Sequence, residues 1–146
     1  MSNYNILLKD LNYLKPVISH RGSNWTEIFP TGQESYILSE GITPIIKKIT
    51  KGNYTLIPAP LTFNRDLGKI GIGYVVMQKI ATVIRLPNYP DRCLIVFIDD
   101  SDALCWCNAD KLISVIEQAK KNWPQYNLSA PDGEYIKEKA GIYLAG

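Results

Sequence analysis

Residues 73–86 read GYVVMQKIATVIRL. This is the chain's longest run rich in Val, Ile, Thr and Tyr, the residues that suit a pleated, half-buried surface. It predicts one long strand with Gln78 and Lys79 as polar residues in its middle. Just before it, GKIGIG at 68–73 is a Gly-rich hairpin connector. A phosphate-cradling loop needs Gly-Lys-Ser/Thr opening a helix, and a dinucleotide fingerprint needs a helix after its glycines; a strand follows here. NYTLIPAP at 53–60 is a short strand that two prolines stop. Downstream, LPNYPD is a turn, CLIVFI at 93–98 a buried strand, DDSD a tight turn and ALCWC at 103–107 the return strand.

Helical signals flank these strands. YNILLKDLNYL at 4–14 has apolar residues at 4, 7, 8, 11 and 14, the spacing of one helix face. Pro16 follows, and residues 19–30 read as loop. Thr31 with Glu34 three residues on forms a capping box and predicts a helix over about 32–40. Thr43 as N-cap, Pro44 at the first helical position and Gly52 past the end predict another. ADKLISVIEQAKKNW, from 109, is an amphipathic helix that Asn108 can cap, with Leu112, Ile113, Ile116 and Ala119 inward. The tail from Pro124 reads as loop with a short helix at EYIKEKAG, residues 134–141. Helices around a run of strands predict an α+β fold, with a small mixed β-sheet of about four strands flanked by helices.

The totals set the class. The chain has 146 residues, enough for one domain over 1–146 with its own core. It is 46% hydrophobic and 21% charged, which argues against disorder. A net charge of +2 permits a nucleic-acid partner without demanding one. The N-terminus has no basic start followed by an apolar run, and no stretch is long and apolar enough to span a membrane. The expectation is a cytoplasmic protein with no membrane partner. Three cysteines, Cys93, Cys105 and Cys107, cannot form a closed disulfide set and fit a reducing compartment.

Glu34 on the capped helix, KGNYTLIPAP as a first strand, Asp66 in FNRDL, YVVMQKIAT as a second strand and CLIVFIDDSDALCWC as a closing hairpin follow one another over roughly residues 31–108. This order resembles the PD-(D/E)xK nuclease-like superfamily. The resemblance implies a restriction-endonuclease-like core that hydrolyses phosphodiesters with a divalent metal, Mg²⁺. It implies Asp66 as metal ligand and Asp66, Glu34, Gln78 and Lys79 as the catalytic set. Such a metal polarises the phosphate and lowers the pKa of the attacking water, while the lysine offsets developing charge. Acid and lysine must share a strand face, two residues apart. In this chain Lys79 pairs that way with Met77, and Gln78 with Ile80, so the catalytic set is incomplete. Lys47, Lys48, Lys51, Arg65 and Lys69 are candidates for holding phosphates.

Other groups have plainer readings. IDDSD at 98–102 is a solvated turn between apolar strands, although its acids are close enough to suggest a metal cluster. Cys105 and Cys107 face the same way on a strand, and Cys93 starts its neighbour; buried free thiols are commoner than a zinc site at this spacing. His20 is the only histidine, which excludes a multi-His metal site. Trp25, Tyr36, Tyr54, Tyr89 and Trp123 are aromatic side chains able to stack on bases.

Two classes of function remain open. One is a nuclease-like nucleic-acid-binding domain with an incomplete metal-dependent phosphodiesterase site. The other is a non-catalytic interaction protein, an immunity, antitoxin or anti-defence factor acting on a protein partner or as a homo-oligomer. A pocket that sequesters a small nucleotide shares features with both, and would need basic and aromatic residues lining one cavity.

Overall fold

A computed structural model describes residues 6–19, 21–62 and 70–121. These residues form eight strands in one sheet: β1 (Leu11–Ile18), β2 (Asn24–Pro30), β3 (Tyr36–Leu38), β4 (Leu56–Thr62), β5 (Ile70–Val76), β6 (Ile80–Arg85), β7 (Cys93–Phe97) and β8 (Asp102–Cys105). Two α-helices accompany them, α1 (Ile42–Lys48) and α2 (Ala109–Lys121). The strand order is β3-β2-β1-β5-β4-β8-β7-β6, and every neighbouring pair of strands is antiparallel. This corrects the expectation of about four mixed strands flanked by helices around a restriction-endonuclease-like core. Among the described residues, no helix is long and apolar enough to cross a membrane.

The run GYVVMQKIATVIRL is two strands with a corner between them. β5 sits in the middle of the sheet and β6 at its far end, yet only the 3₁₀ turn Met77–Lys79 separates them in the chain. The sheet therefore curls back on itself. The corner is held from outside the run. The Met77 N–H donates to the Thr55 carbonyl at 2.9 Å, and the Thr55 N–H donates to the Gln78 side-chain oxygen at 2.9 Å. The Ile98 N–H donates to the Lys79 carbonyl at 2.9 Å. A ladder that breaks inside a protein must find such partners.

The N-terminal segment is the largest departure from the periodicity. Residues 4–14 are expected as a helix, but a 3₁₀ turn at Leu8–Asp10 leads straight into β1. Leu11, Asn12, Tyr13 and Leu14 are all buried. Leu11 and Leu14 pack with Leu8, Ile28, Val76, the α1 residue Ile45 and Ile49 just past the helix. Tyr13 faces the opposite core, stacked between Phe29 (4.0 Å between centroids) and Phe97 (5.2 Å). A strand buried on both faces loses the alternation that identifies it.

The other differences have equally local causes. Residues 24–30, expected as loop, form β2, and the helix expected over 32–40 is a turn followed by the edge strand β3. Thr31 does not cap a helix, because its hydroxyl donates to the Asn12 side-chain oxygen at 2.9 Å. α1 starts one residue before Thr43, with Gly41 at its N-cap and no side-chain cap bond. Pro58 and Pro60 do not stop β4 but lie within it, opposite Tyr74 and Ile72 of β5. The Trp106 N–H donates to the Pro60 carbonyl, so the side on which proline lacks an N–H faces β8, where pairing is limited to Leu61 with Cys105. Gly73 is needed for space: a Cβ there would come within 2.7 Å of the Leu14 carbonyl oxygen.

β7, the turn after it, β8 and α2 agree with the sequence. The Asn108 side-chain oxygen caps α2 by accepting from the Asp110 and Lys111 N–H groups at 2.9 and 3.3 Å. Leu112 and Ile116 are buried in one core with Val83, Ile95 and Phe97, and Ile113 and Ala119 are partly buried beside them. Arg85 of β6 pairs with Asp110 of α2. The helix expected at 134–141 lies outside the described residues.

Candidate functional site

A cleft of about 570 Å³ opens where the N-terminal segment, the β2–β3 turn and the β5–β6 corner meet. Ile6, Leu7 and Leu11 form its apolar side. Lys9, Asp10, Thr31, Gln33, Tyr36 and Lys79 supply its polar groups. Lys79 is only 3% exposed, whereas Lys9, Asp10 and Gln33 are exposed. The Lys79 ammonium lies 5.6 Å from the centre of the Tyr54 ring, within cation–π range. Partial burial raises the Tyr36 pKa, so its hydroxyl stays protonated at neutral pH and can donate.

Each wall follows from local structure. The 3₁₀ turn at 77–79 turns Lys79 inward beside Gln78, which is spent on Thr55. Gly32 takes a φ of +73°, a left-handed value that turns the chain from β2 toward β3 and brings Gln33 and Tyr36 round the opening. Behind this wall lies a polar network. The Asn12 side-chain nitrogen donates to both Asp99 carboxylate oxygens, at 3.0 and 2.9 Å, and to the Ser101 hydroxyl oxygen at 3.0 Å. The Gly32 N–H donates to Asp99 at 2.7 Å, and the Ser101 N–H and O–H donate at 3.1 and 2.6 Å. Partial burial pushes the Asp99 pKa up, but the bonds from Ser101, Gly32 and Asn12 outweigh it and hold the carboxyl below its usual value.

Of the residues expected at a phosphodiesterase site, the structure describes Glu34, Gln78 and Lys79. Glu34 is exposed in the β2–β3 connection, next to the cleft residue Gln33, and is not on a helix. Gln78 and Lys79 stand on the corner rather than on a strand. Asp66, Arg65 and Lys69 lie outside the described residues, as does His20. Lys47 and Lys51 are exposed at and beyond the end of α1, and Lys48 pairs with Glu40 at 2.7 Å. None of these three is among the described residues lining the cleft. Among the described residues, no three His, Cys, Asp or Glu side chains come together as a site for Mg²⁺ or another metal ion.

Cys93 and Cys105 face each other across β7 and β8, both buried, and Cys107 is half-buried. The hydrogen bond with Cys93, followed by burial, raises the Cys105 pKa and keeps it a thiol.

Sequence reasoning named Lys79 and Tyr36 separately but missed Lys9, Asp10, Thr31 and Gln33 as their companions. The one available signal was Asn12, a polar residue inside an apolar run, which marks a buried partner. Comparison of the chain with family models, curated proteins and solved structures found no match.

Proposed function

We propose that this chain is a non-catalytic binding protein that sequesters a small nucleotide in the cleft. The observation that carries the reading is that a nearly fully buried lysine, Lys79, lines the same cleft as Lys9 and the aromatic Tyr36. A cleft of this volume is in the range that holds small ligands. The two ammonium groups suit phosphate oxygens, with charge-assisted hydrogen bonds strengthened by the low exposure of Lys79. Tyr36 offers a ring face for a base, and Thr31 and Gln33 offer hydrogen bonds to its edge or to a ribose. Binding is favoured over turnover because Gln78, one of the residues the resemblance implies for the catalytic set, is engaged by the Thr55 amide.

The test is calorimetric titration with AMP, ADP and ATP, followed by chromatography of the recovered nucleotide. Saturable binding with unchanged nucleotide is expected. Lys79→Met, which keeps the bulk of the side chain without its charge, should weaken binding about tenfold or more, the loss of one charged hydrogen bond. No binding of any of the three, or recovery of a cleaved product, would end this reading.

A further inference from the structure

We propose that Asp99, which does not line the cleft, is the positioning residue that holds the cleft's polar wall in place. The wall is the turn after β2. Thr31 and Gln33 line the cleft, and Gly32 between them is bonded to Asp99 from behind. The Thr31 hydroxyl is bonded to Asn12, and Asn12 is bonded to Asp99 in turn. The Thr31 N–H donates to the carbonyl of Asp10, another cleft residue, at 2.9 Å. Three segments distant in sequence therefore meet at one carboxylate: β1, the β2–β3 turn and the β7–β8 turn.

The chemistry of the junction requires a carboxylate. Asn12, Gly32 and Ser101 all aim donors at Asp99 and none aims an acceptor except the Ser101 hydroxyl oxygen, which already accepts from Asn12. An ionised carboxylate is acceptor-only and satisfies them together. An amide of the same shape would turn an N–H₂ group toward one of these donors and lose at least one bond. Asn12 is 1% exposed, so a partner lost there is not replaced by bulk water. Asp100, next in the chain, has a φ of 71°, which fits a turn held tightly enough to keep a non-glycine residue left-handed.

The effect on ligand affinity rests on the proposed nucleotide site; the anchoring of the wall does not. The experiment uses Asp99→Ala and Ser101→Ala in the full chain. Amide hydrogen exchange is read by NMR, and ATP is titrated as the probe. In Asp99→Ala, which removes the acceptor altogether, the Gly32 amide should exchange about tenfold faster or more, while Ile95 in β7 and Val75 in β5 lose much less protection. ATP affinity should fall about tenfold. Ser101→Ala leaves the bond from Gly32 to Asp99 intact and should change both readouts less than Asp99→Ala does.

Unchanged Gly32 exchange in Asp99→Ala overturns the proposal. So does faster exchange shared equally by Ile95 and Val75, which would make Asp99 a general stabiliser. A loosened Gly32 with wild-type ATP affinity overturns it as well. If the wild-type protein binds no ATP, AMP or ADP, the nucleotide reading fails, and Gly32 exchange alone decides whether Asp99 holds the wall.

Discussion

The side-chain oxygen of Gln78 accepts the backbone N–H of Thr55 at 2.9 Å, and this bond helps turn one long apolar run into two strands. A helix or strand would satisfy the Thr55 amide through its own ladder. Here β4 has not yet begun and β5 has just ended, so a side chain takes the role. The polar pair in the middle of GYVVMQKIATVIRL is thus the hinge of the sheet's curl, and it delivers Lys79 to the cleft.

Gln78→Leu should be costly although it adds an apolar residue at a buried position. It leaves the half-buried Thr55 amide without its partner, and the loss of such a hydrogen bond costs about 1 kcal/mol. Urea unfolding at neutral pH checks this. A variant as stable as wild type would mean that the corner holds without the bond.

Thr82 points the other way. It is 3% exposed on β6, and its hydroxyl oxygen is buried without a hydrogen-bond partner among the described residues. Thr82→Val keeps the shape and removes the unmet polar group. It should stabilise the protein by about 1 kcal/mol, seen as a higher denaturation midpoint at unchanged m-value. A lower midpoint would show that the hydroxyl has a partner, such as an internal water.

Asp99 should make stability pH-dependent in a defined direction. Its folded pKa is held below the unfolded value of about 3.9, so the native state favours the ionised form. The folded state therefore binds fewer protons than the unfolded state in the window between the two values, and stability falls as pH drops through it. Its contribution is fully present at neutral pH and is lost below about pH 3.9 as the folded pKa is approached. The stability gap between wild type and Asp99→Asn, measured by urea unfolding, should be constant from about pH 7 to about pH 5 and narrow below about pH 4. A gap that widens on acidification contradicts this.

Metal-dependent cleavage is the direct contrast with sequestration. With Mg²⁺ or Mn²⁺, the protein should leave plasmid, single-stranded DNA and RNA intact. Cleavage that requires the metal and disappears in Asp66→Ala would instead support the phosphodiesterase reading and make Asp66 one of its ligands.

The elements that local sequence determined are those whose signals lie within a few residues of each other. Asn108 caps α2 two and three residues away, Leu112 and Ile116 mark its inward face, and Asp99–Asp102 turns between two apolar strands. Only the tertiary structure decided the rest. β1 reads as a helix because it is buried on both faces, one by α1 and one by the Phe29 and Phe97 rings. The capping-box pattern at Thr31 lost to a hydrogen bond with Asn12, nineteen residues earlier in the chain. The cleft joins residues near 10, 31 and 79, and its wall is tied to residue 99. Such partners cannot be seen in a window of sequence, because a hydrogen bond or an apolar contact depends on distance in space, and the curl of the sheet sets those distances.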